Sequence, residues 1–239
     1  MAIAFSESTN NTGIVQQVRN LLRVDSSQWA TSRIVNSCNN WLDFVTGYAI
    51  GADKRFQWDD SNHTKLPEGT TALTINQSDY SFLQDEQGNS IVTLLGVSLL
   101  NSTTNKYEPL AQVDRAEVDT TTFGTTSGSP TSYDKIADNI IRLDTLPTAT
   151  VSAGLKFYFQ RTPSYFAATD TTKTPGVSPL LHRGFVIAAA YDGAITLGLP
   201  NANALAQERK MEEDKMIRYF SDRNQDRQRG MTMKPISFR

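Results

Sequence analysis

The side chains best suited to chemistry are scarce: the 239-residue chain has two histidines, His63 and His182, and one cysteine, Cys38. His63 ends the run Asp59-Asp60-Ser61-Asn62-His63, where carboxylates and an imidazole could hold a metal ion. Its spacing matches no metal-binding loop and it lacks the glycine such a loop turns on, so the run reads as a solvated turn. His182 falls in the first turn of an apolar helix, the setting of a hydrogen-bonded structural or interface histidine rather than a general base. One thiol cannot form an internal disulfide or a multi-thiolate zinc site. Neither histidine has an assignable nucleophile, and no Gly-x-Ser-x-Gly elbow presents a serine.

The glycine-bearing run Phe123-Gly124-Thr125-Thr126-Ser127-Gly128-Ser129-Pro130 could cradle a phosphate, but it lacks the Gly-Lys-Ser/Thr ending that supplies charge and a metal-binding hydroxyl. It reads as a flexible loop. The pairs Asp59/Asp60 and Glu212/Glu213 are adjacent carboxylates on a turn and on a helix, where such groups are solvated and do not form an acid–base pair. The expectation is therefore no catalytic residue, no metal and no cofactor.

Composition points the same way. The apolar fraction is 38%, the net charge is −2 with a pI near 5.7, and mean hydropathy is −0.40. Such a chain can bury a core, but its overall field attracts neither nucleic acid nor an anionic membrane. Met1 to Ser8 lacks the basic start and apolar run of a secretory signal. The most apolar stretch, 185–199, is interrupted by Asp192, Gly193 and Thr196 and falls short of the ~20 residues of a membrane span. It reads as a core helix.

Helical periodicity frames the chain. Ile14, Val15, Val18, Leu21 and Leu22 fall on one face of a helix over 13–22. Asp25 or Ser26 then offers a cap for a second helix, with Trp29, Ile34, Cys38, Trp41, Leu42, Val45 and Ala49 on its apolar stripe and Gly51 at its end. The short link predicts an antiparallel hairpin with both tryptophans in its seam. From Phe56 the period changes to two. Leu73 and Ile75, 91–100, Ile141 and Leu143, and Leu155, Phe157 and Phe159 read as strands of a sandwich or small barrel, with Lys156, Tyr158 and Gln160 on the wet face. The Thr, Ser and Gly segment 120–132 reads as a mobile loop.

Ser178-Pro179 opens the apolar helix 180–197, placed at the centre of the helical unit. After Pro200, Asn201 or Asn203 caps a polar helix running to about Arg229 and ending at Gly230. Its apolar residues, Leu205, Met211, Met216, Ile217, Tyr219 and Phe220, look too few to bury it on its own fold. Its interleaved charges suit pairing with another subunit, and Arg209, Glu212, Met216, Arg218, Phe220 and Arg223 are the expected inter-subunit residues. The tail 231–239 reads as an extended arm with nothing of its own to cover its apolar side chains.

Five stretches carry a family resemblance: Phe56-Gln57-Trp58-Asp59-Asp60, Tyr80-Ser81-Phe82, Gly128-Ser129-Pro130-Thr131-Ser132-Tyr133, Asn139 through Pro147, and Leu155 through Pro163. In this order the chain resembles the tail tubular protein A and head-to-tail adaptor families of tailed phages, over residues 10 to 225 in layout. The resemblance implies a structural virion protein of the neck, assembled in the host cytoplasm. It would form a homo-oligomeric ring, a dodecamer, between the portal protein and a tail tube or nozzle protein, with genomic DNA passing through the lumen unread. It also implies that Met231, Met233, Pro235, Ile236, Phe238 and Arg239 form a portal-binding arm.

The expected fold class is α+β: a helical bundle from N- and C-terminal helices, an inserted antiparallel β-sandwich or barrel module, and an extended C-terminal arm. The expected segments are a helical hairpin over 1–55, the β module over 56–170, the closing helices over 171–229 and the arm over 230–239. Two other functions stay open. One is a tail-associated glycan-binding module using Tyr107, Tyr133 and Tyr158; the other is a tail hydrolase using Asp59 or Asp60.

Overall fold

The computed structural model describes residues 2–52, 67–85, 88–114, 116 and 121–228, with side chains of the last helix described through 221. The fold is α+β. Its described residues divide into two compact units, a helical one made of 2–52 and 163–228 and a β unit made of 67–162. The expected arm over 230–239, with Gly230 as helix stop, lies outside the described residues.

The helical unit is organised around α3 (His182–Thr196), entered through a 3-10 turn over Pro179–Leu181. From Gly184 to Ala190 every residue of α3 is buried. A helix without a polar face has to be covered on all sides, and α1 (Ile14–Leu22), α2 (Thr31–Ala52) and α4 (Ala202–Gln228) supply the cover. The expected α1–α2 hairpin is corrected here: both helices pack chiefly against α3 and little against each other. The tryptophans go with them. A Cβ on Gly184 would lie 3.0 Å from the Trp41 ring, and one on Gly193 would lie 3.2 Å from the Trp29 ring, so the glycines of α3 are the recesses that receive both indoles.

Helix α2 starts later than its expected cap. The Asp25 carboxylate accepts from the Ser27 and Gln28 amides and closes a separate turn, while Ile34 N–H donates to the Ala30 carbonyl at the start of the helix. At the other end Gly51 lies inside the last turn and does not stop it. Asn201 stands before α4, with its carbonyl accepting from Leu205 N–H, but its side-chain amide donates to the Leu21 carbonyl, which ties α4 to α1. Asn203 is inside the helix.

A cover that sequence periodicity did not reveal comes from residues 3–6. Phe5 and Ser6 N–H donate to Lys173 and Thr171 carbonyls, and Ile14 and Val15 N–H donate back to Ala4 and Phe5. Phe5 is fully buried and stacks on Phe166 at 4.8 Å, which meets Phe185 of α3 edge-on. Residues 163–170, read from sequence with the β segment, cluster with the helices for this reason.

The β unit has two four-stranded sheets around one apolar core. The first has the order β1 (Glu68–Leu73), β8 (Val151–Arg161), β3 (Ile91–Asn101) and β4 (Lys106–Pro109). The second has β2 (Asp79–Ser81), β7 (Ile140–Leu143), β6 (Ser132–Ala137) and β5 (Ala111–Gln112). All pairs are antiparallel except β5 with β6, which is parallel and makes the second sheet mixed. Leu155, Phe157 and Phe159 point into the core, as their alternation predicts, and Phe82 meets Phe157 across it. The end of β8 departs from this pattern: Gln160, expected on the wet face, is buried, and so is the next residue, Arg161, which reaches the Asp85 carboxylate at 3.2 Å. Ile75 lies beyond β1 and is exposed.

The segment expected as a mobile loop is tied down over its described part, 121–131. Gly124 and Gly128 N–H donate to Asp144 and Leu146 carbonyls, Leu146 N–H donates to Thr126, and the Asp144 carboxylate accepts from the Thr131 amide and hydroxyl. These bonds run from backbone to the far end of β7, which composition does not show. Gly124 is required there, with φ of +75° and the Arg142 side chain 3.0 Å from where a Cβ would stand.

The recess for Trp41 makes a direct prediction. Gly184→Val forces two branched methyls against an indole that has no room to retreat, and is expected to destabilise the helical unit by about 1–3 kcal/mol in denaturant titration. The loss should exceed the modest gain that replacing a helical glycine usually brings.

Candidate functional site

Two of the residues first considered for chemistry are structural. His182 is buried; its Nδ1 accepts from Ile3 N–H at 2.9 Å, and Nε2 faces the Val177 carbonyl at 3.0 Å. That pair of partners fixes the neutral tautomer with the proton on Nε2, so the ring clasps the N-terminal strap to the entrance of α3. Cys38 is fully buried on α2, and burial pushes its thiol upward, with Asp192 adding to the shift. A thiol held protonated in an apolar interior is a poor nucleophile. His63, Asp59 and Asp60 lie outside the described residues. Among the described residues no group of three His, Cys, Asp or Glu side chains could hold a metal ion, and no helix is long and apolar enough to cross a membrane.

The aromatic residues considered for glycan binding are engaged elsewhere. Tyr133 is a core residue of the β unit, not a surface platform. Tyr107 and Tyr158 hold the Lys156 ammonium 5.3 and 5.4 Å from their ring centroids, while Lys156 pairs with Glu68 at 2.8 Å. The Glu68 hydrogen bond raises the Lys156 pKa, and the cation lies against the faces a sugar would need.

Two surfaces that carry exposed apolar side chains lie on α4 and α2. Leu205, Met216 and Phe220 are buried in the chain's own core, with Arg209 on the same stripe. Met216 and Phe220, expected among residues facing another subunit, are thus 1% and 2% exposed inside the helical unit. Arg209 explains how so few apolar residues dock a helix of this length: its guanidinium lies over the Trp41 and Tyr191 rings at 5.7 and 5.2 Å and pairs with Asp192 and Glu213. Its stem and planar head serve as packing surface. Glu212 pairs with Lys215 on the same helix. The opposite face carries Met211, 70% exposed, beside Lys210, Asp214 and Arg218, which make no ion pair among the described residues. The Arg223 side chain, and all of Met231, Met233, Pro235, Ile236, Phe238 and Arg239, lie outside what is described.

Between α2 and α4 runs an open groove of about 610 Å³. Asp43, Phe44, Gly47, Tyr48 and Gly51 line it from α2, and Ile217, Phe220 and Ser221 from α4. Asp43 accepts a 2.6 Å hydrogen bond from the Tyr165 hydroxyl, whose pKa is pushed up to about 12 by burial and by that carboxylate. Sequence reading placed Phe44, Gly47 and Tyr48 in no site; the signal available was their position off the buried stripe of α2.

The family model of the SU10 adaptor protein matches residues 9–236, spanning both units and the polar helix. The chain belongs to the SU10 adaptor protein family. It is a structural phage adaptor, and the resemblance noted from its motifs is of the same kind. No curated protein matches the chain. For such an adaptor the sites of interest are surfaces, and the interior histidine and cysteine serve the body that carries them.

His182→Ala removes both partners of a buried clasp. It is expected to cost about 2–5 kcal/mol, from two unsatisfied backbone groups and a small cavity. Cys38 reports the loss: its alkylation, slow in the native chain, should quicken in the variant as the helical unit opens more often.

Proposed function

We propose that this adaptor forms a closed ring, a dodecamer, that joins the portal protein to the tail tube or nozzle protein in the virion neck. Family membership across residues 9–236 is the observation that carries this reading. The outward face of α4 supports it. A solvent-facing helix surface with Met211 at its centre and charges of both signs around it suits a neighbour of the same sequence, since copies related by rotation can match Lys210 and Arg218 with Asp214. Of the residues first expected at a subunit contact, Arg218 stays with this interface, while Arg209, Met216 and Phe220 belong to the stripe that faces the chain's own core and Glu212 pairs with Lys215.

The arm fits the portal. Met231, Met233, Ile236 and Phe238 are apolar anchors on an extended segment, Pro235 limits its freedom before docking and so lowers the entropy lost on binding, and Arg239 adds charge at its end. DNA passes through the ring without base contacts, and a net charge of −2 does not retain it there. Assembly takes place in the host cytoplasm, and no catalytic step is part of the function.

Ending the chain after Arg229 tests the arm. The shortened protein should keep its helical circular dichroism and its ring mass yet fail to co-sediment with the portal; undiminished co-sedimentation would remove the arm from the portal contact.

A further inference from the structure

We infer that the groove between α2 and α4 is the docking site of the chain's own C-terminal segment, residues 231–239, in the free subunit. The groove is apolar yet empty of the side chains around it. Phe44 and Tyr48, one turn apart on α2, are 36% and 38% exposed, and Ile217 on α4 is 37% exposed. Gly47 and Gly51 form the floor, and a Cβ on either would meet nothing within 4 Å. Two glycines at this spacing keep the α2 backbone open to close approach by another chain segment.

Composition selects the occupant. Residues 231–239 place Met231, Met233, Ile236 and Phe238 in nine positions, and their only charged side chains are Lys234 and Arg239. Among the described residues that line the groove, Asp43 is the only ionised side chain. The other segment outside the description that could reach it, 53–66, balances Asp53, Asp59 and Asp60 against Lys54, Arg55 and Lys65, so it brings no net positive charge to that carboxylate, and it is held at both ends, by Ala52 and Pro67.

Reach allows it as well. Ser221 stands seven residues before Gln228, the last described residue of α4, so the groove lies only ~10 Å back along the helix at the usual rise. Nine extended residues span ~30 Å. Gly230, between helix and segment, is the residue type that tolerates the left-handed turn needed to reverse direction. A tether this short gives an effective concentration in the millimolar range, which favours the chain's own segment over a second copy's in dilute solution. The groove would thus shelter the apolar arm until a partner draws it out, whichever partner that is.

A photo-crosslinking amino acid, p-benzoylphenylalanine, in place of Tyr48 in the full chain tests this. A mixture of isotope-labelled and unlabelled copies is irradiated and mapped by mass spectrometry. The expected product joins position 48 to residues 231–239 of the same chain. Gly47→Leu, which fills the floor without touching a neighbour, should lower its yield about tenfold, the effect of losing one buried apolar contact; Gly51→Leu is the second groove-filling variant, and circular dichroism verifies that each is folded. Adducts to 53–66, adducts joining labelled to unlabelled chains, no adduct at all, or a yield indifferent to both folded leucine variants would each overturn the inference. Portal co-sedimentation of the chain ended after Arg229 is a separate readout, so failure here leaves the portal reading to be judged on its own.

Discussion

The constraint on which the helical unit depends is that α3 has no polar side. From Gly184 to Ala190 each residue is buried, and such a helix is stable in water only when other elements wrap it. Three helices and the strap at residues 3–6 do so, and each brings a particular side chain to a particular recess: Trp41 to Gly184, Trp29 to Gly193, and Phe5 through Phe166 to Phe185. His182 closes the arrangement by clasping the strap with one ring nitrogen and the segment before α3 with the other. Helices from before and after the β unit meet around α3, so this unit needs both, while the β unit forms from the contiguous middle of the chain.

That arrangement leaves the outer surface for assembly. Helix α4 spends Leu205, Met216, Phe220 and the Arg209 stack on its own subunit, and what remains outward is a charged face around Met211. Surface contacts of mixed charge favour correct register between partners more than raw affinity, which suits the ring proposed for this adaptor.

Elements whose signal is local were legible in the sequence. The stripe of α1, the all-round apolarity of α3 and the alternation of Leu155, Phe157 and Phe159 follow from side-chain period alone. What was not legible depended on distant partners. Asp25 is a good helix cap by type but closes its own turn first. Residues 121–131 have little to bury, yet their backbone is held by Asp144 and Leu146. Met216 and Phe220 were expected to face another subunit, because the apolar residues of the polar helix looked too few to bury it and nothing in the sequence reveals that Arg209 lies over Trp41 and completes their stripe. Phe5 belongs to the core through pairing with residues 171–173, a contact that a short apolar stretch before the first helix does not announce. The α2–α4 groove was invisible for the same reason, since its walls come from residues about 170 positions apart.

The account stands or falls on assembly of the whole chain. Native mass spectrometry of the purified protein, alone and mixed with the portal protein, measures it most directly. The account predicts one closed oligomer of uniform subunit number, bound to the portal when that is present. A monomer that persists at every concentration, with or without the portal, would contradict it.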